Sequence, residues 1–298
     1  MSGPADMRAG TYTIGVVLVL LAATVLSSGG LFLRHMEVAT PWQVLFYRSG
    51  AMAVVTLAVI ALQYRGRFVA PFRRMGAGGL FAAATLGVSM IGYVFAVMLT
   101  TVANAMFVIS SAPFFAALLA WLLLRERVRP ATWLAIAAAV FGIGIMVVDG
   151  LAGRGLSGII IALVCAASYA LLVVLLRRFR HVDMLPALAI ASMLIVGVAA
   201  VMAGDLALPL HDVLLACVMG VVQTCTGFFL IMLGARRVPA AEVSLLLLAE
   251  IILSPLWVWL VVGEAPSPIA LGGGVIVFGA VAMQSAIGVL WERRLRPA

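Results

Sequence analysis

Lysine is absent from this chain of 298 residues. Without an ε-amine there is no Schiff-base chemistry and no Walker-A phosphate loop, so ATP-driven pumping by this chain is not expected. G-x-S-x-G and H-E-x-x-H are missing too, and the three histidines (His35, His181, His211) fall at the borders of apolar runs. Cysteine is scarce. Cys165, Cys217 and Cys225 all lie within apolar stretches, with no paired spacing in an exposed loop. Neither a disulfide framework nor a metal site is expected from them, and packing is their default role. Charged residues make up only 10% of the chain, against about 25% in soluble domains. The sequence thus points away from an enzyme, a cofactor and a hidden soluble domain.

What remains is apolar. Ten stretches of 17 or more mostly apolar residues run approximately 13–33, 41–63, 76–98, 101–124, 131–149, 157–176, 184–203, 211–233, 239–262 and 268–290. A helix needs ~20 such residues to cross a bilayer core, so each stretch predicts a spanning helix. All nineteen positive side chains are arginines, and sixteen fall at the termini or in alternate gaps. Arg34 and Arg154 lie on the other side, and Arg48 lies inside the second stretch. Short arginine-bearing loops mark the cytoplasmic face, which places both termini there. The net charge of +8 is therefore read as a topology signal that also meets anionic lipid headgroups. Nucleic acid is not an expected partner, since no basic element stands free to enter a groove. The first stretch is longer than a signal-peptide core and is read as a retained helix.

The fourth and ninth stretches resemble each other when shifted by 138 positions: Ala120-Trp121-Leu122-Leu123-Leu124-Arg125-Glu126 lies over Val258-Trp259-Leu260-Val261-Val262-Gly263-Glu264. Glu126 falls in an arginine-rich gap and Glu264 in an arginine-free one. Equivalent motifs therefore end on opposite faces. Five helices per half is an odd number, so consecutive copies must be inverted. That arrangement puts a substrate site near the midplane between the halves.

The whole chain resembles the drug/metabolite transporter superfamily, specifically its ten-helix EamA-type exporters. The resemblance rests on Ser111-Ala112-Pro113 through Arg125-Glu126, on Ala249-Glu250-Ile251 through Gly263-Glu264, on Arg48 after Pro41, and on the Arg-Arg-Val-Pro-Ala-Ala run at 236–241. Ile251 stands where Pro113 would recur and Pro255 appears four residues later, which predicts a displaced helix break. Within the family the chain is most similar to aromatic amino-acid exporters. The resemblance implies outward transport.

Ionisable groups inside a membrane are costly and usually face a cavity. Arg48, Glu242 and Glu250 are the candidates for coupling or charge pairing. Arg48 starts ~10 Å below the outer boundary and Glu250 sits near the midplane, about 8 Å apart along the membrane normal. Glu250 either binds a substrate ammonium or a coupling proton, or pairs structurally with Arg48. Glu242, one turn beyond Pro239, is either functional or a first-turn acid favoured by the helix dipole. Pro113 and Pro255 are read as hinges, with static kinks as the alternative. Other candidate substrate-binding residues are Tyr47, Ser89, Tyr93, Asn104, Ser110 and Ser111. Tyr169, Gln223, Thr224 and Ser244 complete that set.

The expected fold is all-α and integral to the membrane: ten transmembrane helices as two inverted five-helix repeats, 1–150 and 151–298. The expected function is secondary export of small organic metabolites, chiefly amino acids including aromatic ones, across a bacterial inner membrane. A small-molecule substrate and the lipid bilayer are the expected partners, and no motif specifies an oligomeric state. The alternatives are a nucleotide-sugar or drug carrier of the same superfamily, an integral-membrane enzyme using Asp205, His211 and Asp212, and a scaffold.

Overall fold

A computed structural model describes residues 4–64, 67–125, 130–151, 155–179 and 184–295. Glu126, Arg65, Arg127, Arg129, Arg154, Arg180, His181 and Arg296 lie outside the described residues. Among those described there is no strand. The first span consists of α1 (Pro4–Ser27) and α2 (Gly29–Arg34), the second of α3 (Pro41–Gln63), and the third of α4 (Ala70–Leu99). The fourth is α5 (Val102–Ile109) with α6 (Ala112–Leu124), the fifth α7 (Pro130–Leu151), the sixth α8 (Leu156–Arg178) and the seventh α9 (Met184–Met202). The eighth combines α10 (Leu210–Val218), a π-helical segment (Met219–Cys225) and α11 (Thr226–Ala235). The ninth is α12 (Ala240–Val262) and the tenth α13 (Pro268–Leu295). Among the described residues nine spans are long and apolar enough to cross a membrane, and the fifth carries a shorter apolar stretch, Thr132–Val148.

The helix starts follow local chemistry. Thr40 caps α3 in a reciprocal box with Gln43, with Pro41 at the first helical position, satisfying donors the helix itself leaves open. Thr101 caps α5 through Asn104 N–H.

Three of the expected continuous helices are interrupted. In the first span Ser27 and Ser28 hydroxyls bond the carbonyls three residues back, Thr24 and Val25, each at 2.7 Å. In the fourth, Ser110 and Ser111 do the same to Phe107 and Val108, each at 2.6 Å. Such local bonds compete with the helical ladder, and both spans break at their serine pair. Pro113 consequently sits in the first turn of α6, where its missing N–H costs nothing, rather than inside a helix as expected. The displaced break expected in the ninth span is also not found, because α12 runs unbroken with Pro255 inside it.

Helix pairing shows the inverted repeat. The third span packs on the sixth, and the first on the eighth. The fourth packs on the sixth and the first on the ninth, while the second packs on the seventh and the fifth on the tenth. Advancing every span by five maps this set onto itself. Three hydrogen bonds join residues 230 positions apart: Tyr12 to Glu242, Trp257 to Ser27 and Arg34 to Glu264. The first and ninth spans therefore lie side by side and cross in the same direction. In the fifth and tenth, a Cβ on Gly142 would stand 2.7 Å from the Gly273 carbonyl. Small residues permit that backbone approach.

Candidate functional site

A cavity of about 730 Å³ opens between the halves. It reaches from Arg48 and Met106, in the arginine-poor halves of their spans, to Thr132, Ile231 and Ile287 near the arginine-rich ends of theirs. At the opposite face the helices are tied together. Arg34 Nε donates to Glu264 Oε2 at 2.5 Å, and Arg34 Nη2 donates to the Thr100 carbonyl at 2.7 Å. Glu264 Oε1 accepts the Val102 N–H at 2.8 Å, so one carboxylate also supplies the start of α5. Nearby, buried Asp212 accepts the amides of Glu37, Val38 and Ala39 at 3.1–3.2 Å. Asp205 accepts the Ala207 amide at 2.9 Å. These acids clamp loops.

Arg48, on α3, is 3% exposed. Its Nη2 donates to Thr224 Oγ1 at 2.9 Å, and its guanidinium lies 5.9 Å from the centre of the Tyr93 ring, within cation–π range. Arg48 Nε and Nη1 have no protein partner, nor does the Tyr93 hydroxyl. Glu250, on α12, faces the same cavity. Tyr93 lies within electrostatic reach of both charges, yet no ion pair joins Arg48 to Glu250 among the described residues. The structural pair considered from axial spacing is therefore not formed. Burying one unpaired charge costs several kcal/mol; the cavity wall carries a buried guanidinium at Arg48 and a half-buried carboxyl group at Glu250.

Of the remaining predicted residues, Ser89, Ser110 and Pro113 line the cavity. So do Tyr169, Gln223, Thr224 and Ser244. Tyr169 is 40% exposed. Ser89 and Cys165 bridge α4 and α8, the Cys165 thiol donating to the Ser89 carbonyl at 3.2 Å.

Others point elsewhere. Tyr47 donates to the Leu206 carbonyl at 2.7 Å, which fastens the loop before α10. Asn104 donates to Thr100 Oγ1 at 3.3 Å in the first turn of α5. Ser111 is spent on the helix break. Glu242 accepts the Tyr12 hydroxyl at 2.5 Å in the first turn of α12, matching the dipole reading. Pro255 does not line the cavity.

Three features were missed. Gln284 lines the wall with Oε1 buried and unpartnered, and it is the only amide side chain in its span. Phe228 adds an aromatic surface. The π-helical segment carries Gln223 and Thr224, and its register shows in Thr224 and Thr226 hydroxyls bonding carbonyls five residues back at 3.3 and 3.2 Å. Such segments often mark functional sites.

The model of the EamA-like transporter family matches residues 13–148 and 156–286. A solved structure described only as the crystal structure of a protein is similar over 92% of this chain and 98% of its own, with TM-score 0.65 and 22% identity. That likeness shows the fold alone. The comparison with curated proteins gives no match.

Proposed function

Because the chain belongs to the EamA-like transporter family, and so is a multi-pass membrane transporter of the drug/metabolite superfamily, we propose that it exports amino acids, including aromatic ones, across a bacterial inner membrane. One observation carries the substrate reading. A guanidinium edge at Arg48 without a protein partner and a carboxylate at Glu250 without an ion-pair partner among the described residues face one cavity whose other walls are mostly apolar. A zwitterion answers both. Its carboxylate takes the Arg48 donors, its ammonium neutralises Glu250, and its side chain rests among Tyr93, Tyr169 and Phe228. The volume of about 730 Å³ suits a small organic ligand. A nucleotide sugar would require several buried cations for its phosphates, and among the described residues Arg48 is the only arginine on this wall.

Arginine density makes the open face cytoplasmic, so the cavity loads from inside. A carboxylate in hydrocarbon is neutralised by a cation or by a proton. Glu250 therefore takes the substrate ammonium on the outward step and a coupling proton on the return.

Competition binding to the purified protein in nanodiscs tests this reading. Phenylalanine should displace a bound aromatic amino acid. N-acetylphenylalanine, which lacks the ammonium, should compete at least tenfold less well, as expected for loss of one charged contact. Equal competition by the two would remove Glu250 from substrate recognition.

A further inference from the structure

We infer that Thr224 is a positioning residue that sets which Arg48 donors face the substrate. The inference rests on the amino-acid reading above. Its geometry is a directional chain of hydrogen bonds. The Leu26 carbonyl can only accept, and Gln223 Nε2 donates to it at 3.0 Å. That orients the amide, so Gln223 Oε1 must accept from its other neighbour, the Thr224 hydroxyl, at 2.7 Å. The Thr224 proton has a second acceptor in the Met219 carbonyl at 3.3 Å, and the much shorter contact to Gln223 Oε1 takes it; a guanidinium can only donate, so Thr224 Oγ1 accepts from Arg48 Nη2 at 2.9 Å. Each link fixes the next. The guanidinium is thus held from behind, with Nε and Nη1 left without protein partners.

Gln223 and Thr224 both lie in the π-helical segment Met219–Cys225, and it supplies the two middle links of this line. Gly220, in the same turn, lies against the Arg48 carbonyl, where any Cβ would collide. The chain crosses three spans, from α3 through the eighth span to the break between α1 and α2. Thr224 therefore acts on the substrate through Arg48, and its loss should be felt most by ligands that carry a carboxylate.

The test compares phenylalanine with 2-phenylethylamine, its decarboxylated analogue, by equilibrium binding to the full-length protein in nanodiscs. Wild type should prefer phenylalanine. Thr224→Val, which keeps the shape and removes the hydroxyl, should cut that preference about tenfold by lowering phenylalanine affinity more than phenylethylamine affinity. Thr224→Ser should restore it. Gln223→Leu breaks the chain one bond earlier and should reduce the preference in the same sense, which keeps the test open if the valine variant fails to fold. A full preference retained in Thr224→Val, or in Gln223→Leu, overturns the inference, as does a serine variant that behaves like valine. A wild type that does not discriminate between the probes, or binds neither, overturns the amino-acid reading and the inference with it. Failure of the two ideas is thereby told apart.

Discussion

Arg34 and Glu264, 230 positions apart in the chain, meet through a 2.5 Å hydrogen bond between Nε and Oε2 at the face opposite the cavity mouth. Their side chains are only 20% and 21% exposed; Arg34 also bonds the Thr100 carbonyl just after the third span, and Glu264 the Val102 amide at the start of the fourth. The pair thus joins the first, fourth and ninth spans. Alternating access requires these three to separate.

Glu264→Gln should loosen that closure. With Cys165, Cys217 and Cys225 replaced, a single cysteine at Met106 reports on the path from this face. Its labelling by an impermeant thiol reagent should rise about fivefold, corresponding to ~1 kcal/mol for a largely shielded pair. Unchanged labelling would mean that the contact does not hold the face shut.

Arg48 and Glu250 should behave as two separate half-sites. Arg48→Gln and Glu250→Gln should each weaken phenylalanine binding, and the double variant should not recover what either single variant loses. Recovery of expression or binding in the double variant is the signature of a buried salt bridge and would contradict the unpaired geometry.

Much of this architecture was legible in the chain. Apolar runs give the spans, and the Trp121/Trp259 motifs give the repeat. Side-chain direction was harder. Tyr47 and Arg48 are adjacent, so about 100° separates them around the helix; with Arg48 on the cavity, Tyr47 had to face elsewhere. Axial spacing alone permits an Arg48–Glu250 pair, and lateral position is not contained in a hydropathy profile. The serine-pair breaks have a local cause that could have been read from Ser27-Ser28 and Ser110-Ser111. The π turn could not, because its register is settled by packing of Gly220 on Arg48 and by the Gln223–Leu26 bond.

The two prolines should separate in their effects. Pro113→Ala falls in the first turn of α6, where no N–H is required, and should change thermal stability little. Pro255→Ala restores a donor inside α12 and should straighten it, slowing transport with phenylalanine affinity nearly unchanged. Wild-type transport rates in Pro255→Ala would make that proline a static feature.

Gly29 sets the distance between the first-span break and the binding wall. A Cβ there would meet the Tyr93 hydroxyl and stand 2.9 Å from Gln223 Nε2. Gly29→Ala should destabilise the protein by ~1–3 kcal/mol, as overpacking does, and weaken phenylalanine binding by displacing Tyr93. Thermal denaturation and binding isotherms on the same preparation check both, and unaltered affinity would mean that Tyr93 does not contact the substrate.

Counterflow in proteoliposomes tests the central claim most directly. Vesicles containing the purified protein and loaded with unlabelled phenylalanine are placed in trace radiolabelled phenylalanine. Saturable accumulation above protein-free vesicles is predicted, abolished in both Arg48→Gln and Glu250→Gln. No accumulation by well-folded wild type, or full accumulation by both variants, would contradict the account.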